Sequence, residues 1–140
     1  MKKILRLSIV LFSATVLLIS SSAFMLFDGP VLTPAKPVYN FDTAVQGTIV
    51  RGKIPFQNTG KSNLFIMYAT VSSSDVAPHW PTAPVMPGKW DTISFEFSTG
   101  SKLGRQNREI TVVDNAENQQ SILKISGVVV ADTAKSKTAH

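Results

Sequence analysis

From Asp91 to Phe97 the chain alternates without a break. Ile93, Phe95 and Phe97 take one parity, and Thr92, Ser94 and Glu96 take the other. A period of two puts successive side chains on opposite faces of an extended backbone, so this run is a strand with one apolar and one polar face. The same period returns upstream, where Val50, Ile54 and Phe56 oppose Arg51, Lys53 and Gln57. It returns again in Ile110 and Val112, and in Leu123, Ile125 and Val129. The runs are short and recur about every ten residues, with turn-forming residues between them and no amphipathic helix. That spacing specifies an all-β fold, an immunoglobulin-like β-sandwich in the broad sense, of about seven strands.

The runs in chain order define the expected elements. Val38 to Phe41 is a strand with Tyr39 and Phe41 on one face, followed by a strand from Thr48 to Phe56. Asn58-Thr59-Gly60-Lys61 is a turn in which Asn58 bonds locally and Gly60 supplies a positive φ. Leu64 to Val71 is almost entirely apolar or β-forming, a strand covered on both faces or lightly exposed on its second. Ser72-Ser73-Ser74-Asp75 breaks it with side chains that bond the nearby backbone. Pro78, Pro81, Pro84 and Pro87 bar a helix or a central strand between Ala77 and Gly88. A polar loop is expected from Ser98 to Gln106, then strands from Arg108 to Val113 and from Ser121 to Val130. Gly127 lies on the apolar face of the last strand, which signals a bulge or close packing.

The flanks set the compartment. Lys2, Lys3 and Arg6 precede an apolar run from Leu7 to Ile19 and then Ser20-Ser21-Ser22-Ala23. Basic start, apolar middle and small-residue end make residues 1–23 a secretory signal peptide, with cleavage expected after Ala23. If cleavage fails, Leu7 to Phe27 offers about 21 residues, enough to span a bilayer and tether the domain. No Cys follows the run, which excludes a lipid-anchored lipoprotein. Residues 24–37, with Pro30, Pro34 and Pro37, form a linker or an extended edge segment. The sandwich occupies 38–130, and 131–140 is a small, polar tail expected to be flexible.

The net charge of +5 arises largely from the leader, which holds three of the 14 basic residues and leaves 11 against 9 acidic ones. No basic stripe remains on the domain, so nucleic acid is not an expected partner. Zero cysteines in an exported chain mean that the core holds the fold without a disulfide.

No residue set carries recognisable chemistry, so no catalytic residue, cofactor site or metal site is expected. Asp75 and His79 are an acid and a histidine in one loop region, but a metal needs three or four ligands and the only other histidine is His140. The plainer reading has Asp75 capping a turn and His79 solvated. His79 is also the only internal base for a nucleophilic triad, and no Gly-x-Ser-x-Gly elbow exists. Gly60-Lys61-Ser62 resembles the end of a phosphate loop, but Pro55 stands where its first glycine belongs. Arg105 and Arg108 are expected on a solvated face, with Glu109 adjacent.

The possible binding residues are His79, Trp80 and Trp90, because exposed aromatics beside prolines suit recognition of a peptide, a glycan or another domain. The alternative is a Trp folded over the open end of the sandwich as a lid on the core, favoured by the apolar area a Trp buries. An edge strand offers a further route, accepting a partner's strand through backbone hydrogen bonds unless the Asp28 to Pro37 arm covers it.

A set of landmarks in order adds a resemblance. These are Phe56-Gln57-Asn58-Thr59-Gly60-Lys61, Leu64 and Ile66, Pro78 and Trp80, and Pro84-Val85-Met86-Pro87-Gly88. They continue through Ile93-Ser94-Phe95-Glu96-Phe97, Gly104 to Val112, and Leu123-Lys124-Ile125-Ser126-Gly127. Over Tyr39 to Val129 the chain resembles the bacterial domain-of-unknown-function 1573 family, which is similar to the Ig-like domains of the major sperm protein and Hydin type. Members often carry Ser-Cys-Gly-Cys-Thr after the third strand. Here Ser73 and Asp75 stand at the two cysteine positions, so any thiol, disulfide or metal role of that loop is lost. The resemblance implies an exported Ig-like module and assigns it no reaction.

The expected function is therefore a non-enzymatic, exported Ig-like protein, periplasmic or at the cell surface. It would serve as a protein-interaction or structural module of the envelope, with another envelope protein as partner. Membrane contact is expected only if the leader stays uncleaved. The alternative is a small ligand-binding module for glycan or peptide that uses Trp80 and Trp90.

Overall fold

A computed structural model describes residues 28–133. The leader at 1–23, the start of the linker and the end of the tail lie outside the described residues. Eight strands form two four-stranded sheets and no long helix occurs among the described residues: β1 (Leu32–Pro34), β2 (Val38–Val45), β3 (Ile49–Asn58), β4 (Ile66–Val71), β5 (Val76–His79), β6 (Trp90–Ser98), β7 (Gly104–Asp114) and β8 (Gln120–Val130). The first sheet has the order β1-β3-β6-β5 and the second β2-β8-β7-β4. The strands beyond the expected set are the two shortest, β1 and β5. β5 begins the proline-rich stretch and lies at a sheet edge, where Pro78 is tolerated.

The N-terminal arm is an edge segment. β1 pairs antiparallel with β3, Leu32 opposite Asn58 and Pro34 opposite Phe56. The chain then leaves the first sheet between Pro34 and Pro37, and β2 pairs parallel with β8 in the second. The Ala35 amide donates to Pro55 O at 2.8 Å on one side of the crossing, and the Lys124 amide donates to Pro37 O at 2.8 Å on the other.

The alternating residues meet between the sheets. Ile54, Phe56, Ile93, Phe95 and Phe97 from the first sheet pack against Ile110, Val112, Leu123, Ile125 and Val129 from the second, all buried. Tyr39 meets Phe95 edge-on at 5.1 Å, and Phe41 meets Phe97 at 5.7 Å. Of the two readings of Gly127, close packing is the observed one. β7 pairs across it without a register shift, and a Cβ there would lie 2.4 Å from the Phe41 ring. The bulge is in β2 instead, between Asn40 and Thr43. Asp42 takes φ 53°, and its amide donates to Asn40 Oδ1 at 3.1 Å.

Three expectations change. Gly60 does not take a positive φ; it is needed because a Cβ there would lie 2.2 Å from Gly29 O and 2.6 Å from Val31 N, where the arm crosses the turn. The run from Leu64 yields a shorter strand, β4, at the edge of the second sheet, with Met67 and Tyr68 exposed. The polar loop after Ser98 ends at Gly104, where φ of +78° turns the chain into β7, so Gln106 is a buried strand residue.

Asn58, fully buried, ties three segments together. Its Oδ1 accepts from the amides of Val31 at 3.2 Å and Gly60 at 3.1 Å. Its Nδ2 donates to Ser62 O and Val85 O, each at 2.8 Å. Its backbone bonds the 88–89 turn, the Gly88 amide donating to Asn58 O at 2.7 Å.

Gly127→Ala should destabilise the domain by about 1–3 kcal/mol, because the added methyl must displace the Phe41 ring in a packed core. Chemical denaturation checks this, and a midpoint equal to wild type would show that the ring gives way freely.

Candidate functional site

The three possible binding residues do not form one site. In β5, Val76 and Pro78 oppose Phe97 and Phe95, whereas Ala77 and His79 oppose Glu96 and Ser94. Trp80 continues the inward parity, is half-buried and packs against the core. Trp90 shares the parity of Thr92, Ser94 and Glu96 and is 57% exposed. One tryptophan therefore lids the core and the other stands on the outer face of the first sheet. His79 is exposed on that outer face opposite Ser94. Trp90 lies four residues further along β6, about 13 Å away at the rise of a strand.

Two open grooves flank β3. One, of about 530 Å³, runs over the outer face of the first sheet past Arg51, Lys53, His79, Ser94 and Glu96. Arg51 Nε donates to Glu96 Oε1 at 2.8 Å there, both side chains well exposed, so the pair contributes little to stability. The other, of about 490 Å³, lies where the chain crosses between sheets and is lined by Ala35, Lys36, Val38, Tyr39, Lys53 and Pro55. β1 covers only Phe56–Asn58 of β3. No described strand pairs with residues 49–54 on the side away from β6. Pro55 O faces that side, since it accepts from Ala35. By the alternation of an antiparallel strand the backbone groups of Arg51 and Lys53 face it too.

The strongest electrostatic cluster was missed in the sequence. Asp75 neither pairs with His79 nor stands free. Arg108 Nε donates to its Oδ1 at 2.9 Å and Nη2 to its Oδ2 at 2.8 Å, a bidentate contact. Lys102 Nζ adds a second cation at 3.0 Å. Arg108, expected on a solvated face, has a side chain 15% exposed that lies 5.2 Å over the Phe97 ring. Its Nη2 also donates to Gln106 Oε1 at 3.2 Å. Glu109 takes no part and faces Lys124. Arg105 is exposed. The cluster holds the crossing from β4 in the second sheet to β5 in the first. The signal that could have found it is parity: Arg108 shares the inward register of Ile110 and Val112.

The Arg108 guanidinium holds the Asp75 carboxyl far below its ordinary range. Burial opposes this, and Lys102 and Ser73 assist it. Ser73 and Asp75, the two positions at which the resemblance placed cysteines, thus belong to one hydrogen-bonded unit. Asp114 shows the opposite behaviour. It is fully buried, its Oδ1 accepts from the Ala116 amide at 2.8 Å, and its Oδ2 has no hydrogen-bond partner among the described residues. Burial pushes its carboxyl up. Among the described residues no three His, Cys, Asp or Glu side chains group as metal ligands.

Two facing four-stranded sheets, an arm that switches between them and edge strands at both sides define an immunoglobulin-like β-sandwich. The chain belongs to the family described as protein of unknown function DUF1573, whose model matches residues 32–129. No curated protein matches it in sequence. Among solved structures it is similar to a protein of unknown function from Porphyromonas gingivalis, with a TM-score of 0.62 and 11% identity over 76% of this chain and 50% of that one. The chain thus spans half the length of that structure. It is also similar to the ASH/PapD-like domain 7 of human CEP192, with a TM-score of 0.53 and 11% identity over 72% of this chain and 86% of that one. A third likeness, at 0.52 and 9% identity, is to the Vibrio cholerae protease VesB, covering 71% of this chain and only 31% of the protease. At these identities the likenesses are of fold alone.

Asp75→Asn should lower stability near neutral pH by about 2–3 kcal/mol, since it removes the charge from a mostly buried pair and leaves Arg108 uncompensated. A carboxyl held low in the fold stabilises above its unfolded value of 3.8 and loses that contribution as pH falls toward its folded value. The gap between wild type and Asp75→Asn should therefore be full at pH 6–7 and narrow below about pH 4. Asp114 has the reverse sign: its ionisation opposes folding at neutral pH and the penalty is relieved in acid. Denaturation midpoints across pH check this, and a gap constant down to pH 2 would contradict it.

Proposed function

We propose that this protein is an exported, non-enzymatic module that works by binding other proteins of the bacterial envelope. The observation that carries the reading is the uncovered rim of β3 from Ile49 to Ile54. There the backbone groups of Arg51 and Lys53 face outward beside a groove walled by Ala35, Val38 and Tyr39. An extended segment of a partner can pair with such a rim through main-chain hydrogen bonds, while its side chains enter the groove. The leader-like residues 1–23 support export. Glycan or peptide binding by Trp80 and Trp90 together is not favoured, because the two lie on opposite faces.

A photo-crosslinking side chain at Lys53 is expected to trap discrete protein adducts in intact cells. Arg51→Pro removes an outward amide that the fold does not use, so it should abolish the adducts and leave the denaturation midpoint close to wild type. Adducts that survive Arg51→Pro would contradict strand addition, and the absence of any adduct would contradict the reading as a whole.

A further inference from the structure

The uncovered rim of β3 carries charge as well as open backbone. Arg51 and Lys53 share one parity, so their side chains stand together on the outer face of the first sheet, both exposed. Lys36 stands in the crossing of the arm and lines the groove beside the rim together with Lys53. No acidic residue lines that groove. On the β6 side Arg51 is met by Glu96 at 2.8 Å, whereas Lys53 has only Ser94 opposite it. Among the described residues neither Lys36 nor Lys53 takes part in an ion pair. The one acid in β2 is Asp42, whose Oδ1 accepts from Asn40 Nδ2 at 2.9 Å in the bulge.

Strand pairing presents this charge to a partner in a fixed pattern. A strand added along Ile49 to Ile54 extends the first sheet, and its side chains alternate between the same two faces. Those on the outer face stand across from Arg51 and Lys53, about 5 Å away. Those on the inner face turn toward the groove wall of Val38 and Tyr39. Opposite charges directly across two strands attract, and like charges repel. The strand that fits is therefore acidic at two alternate positions and apolar between them. The same charges exclude two other occupants. Copies joined rim to rim would set Arg51 and Lys53 of each against those of the other. Residues 1–27 and 134–140 contain basic residues but no Asp or Glu, so neither end of this chain supplies such a strand.

We propose that the occupant of this rim is an extended segment of another protein in which two acidic side chains at alternate positions flank an apolar one. The proposal rests on the strand-addition reading and adds the chemistry of the partner. The amides and carbonyls of Arg51 and Lys53 hold the segment, and their side chains select it. Because Arg51 already has Glu96, the selection turns on Lys53. Lys36 adds a cation at the end of the rim where Ala35 bonds Pro55 and the arm closes it. Charge of this kind decides which segment binds, and in which register, more than how tightly it binds.

Three synthetic peptides test this on the full chain: Ser-Thr-Glu-Val-Glu-Thr-Ser, its counterpart with Gln for Glu, and its counterpart with Lys for Glu. The acidic peptide should bind roughly three- to tenfold more tightly than the glutamine peptide and shift the Arg51 and Lys53 amides in a nuclear magnetic resonance titration. Lys53→Glu should reverse the order, so that the lysine peptide binds best, and Arg51→Pro should abolish binding of all three. Both variants should keep the wild-type denaturation midpoint. Equal binding of the acidic and glutamine peptides, lost in Arg51→Pro, overturns the acidic segment and leaves strand addition standing. Acidic-peptide binding that survives Arg51→Pro is charge attraction alone and overturns both. No binding of the acidic peptide at millimolar concentration overturns this proposal, and the cellular adducts at Lys53 then decide the strand-addition reading by themselves.

Discussion

The organisation of the molecule depends on one buried amide. Asn58 is the last residue of β3, and it spends both its donors and its acceptor on four backbone partners that belong to three separate segments. Left to themselves these segments have little reason to stay together. The arm contributes a three-residue strand, the turn after β3 is polar, and the stretch before β6 is broken by prolines. A buried amide that satisfies all its hydrogen bonds is favourable, and one that loses a partner costs about 1–3 kcal/mol per unmet group. That asymmetry makes the end of the sandwich a unit. Gly60 serves the same end by leaving the space through which the arm passes.

The other end is held by charge. The crossing from β4 to β5 places Asp75 between Arg108 and Lys102, and the guanidinium rests on Phe97. Between the two ends the sheets meet through aromatic rings laid over glycines, Phe41 over Gly127 and Tyr39 and Phe95 over Gly52. The close approach explains why the inward registers of β3 and β8 each contain a glycine. A chain without disulfides thus closes a small sandwich with a polar knot, an ion cluster and a ring-and-glycine core.

The strands were legible because period-two alternation survives along β3, β6 and β8. Phe95, Ile125 and their neighbours could be assigned to the core from parity alone. The proline-rich arm was legible as a linker or an edge segment, and so was the family resemblance over Tyr39 to Val129, within the matched residues 32–129. Three things were not. The pairing of Asp75 with Arg108 joins residues 33 apart, and nothing local in either segment marks the partner. The burial of Asn58 depends on the arm returning across it, whereas its local sequence reads only as a turn. The separation of Trp80 from Trp90 follows from a change of parity across the proline-rich stretch, which periodicity cannot follow through a loop.

The functional surface follows from the same frame. The crossing of the arm leaves part of β3 uncovered, beside Lys36 and Lys53. That rim depends on the Asn58 end behaving as one piece, and amide hydrogen exchange on Asn58→Ala tests that directly. Exchange should accelerate together at Val31, Gly60, Val85 and Gly88, which lie in three segments distant in sequence, while the amides of β7 and β8 keep their protection. Acceleration confined to the turn at Gly60, with Val31, Val85 and Gly88 protected as in wild type, would contradict it.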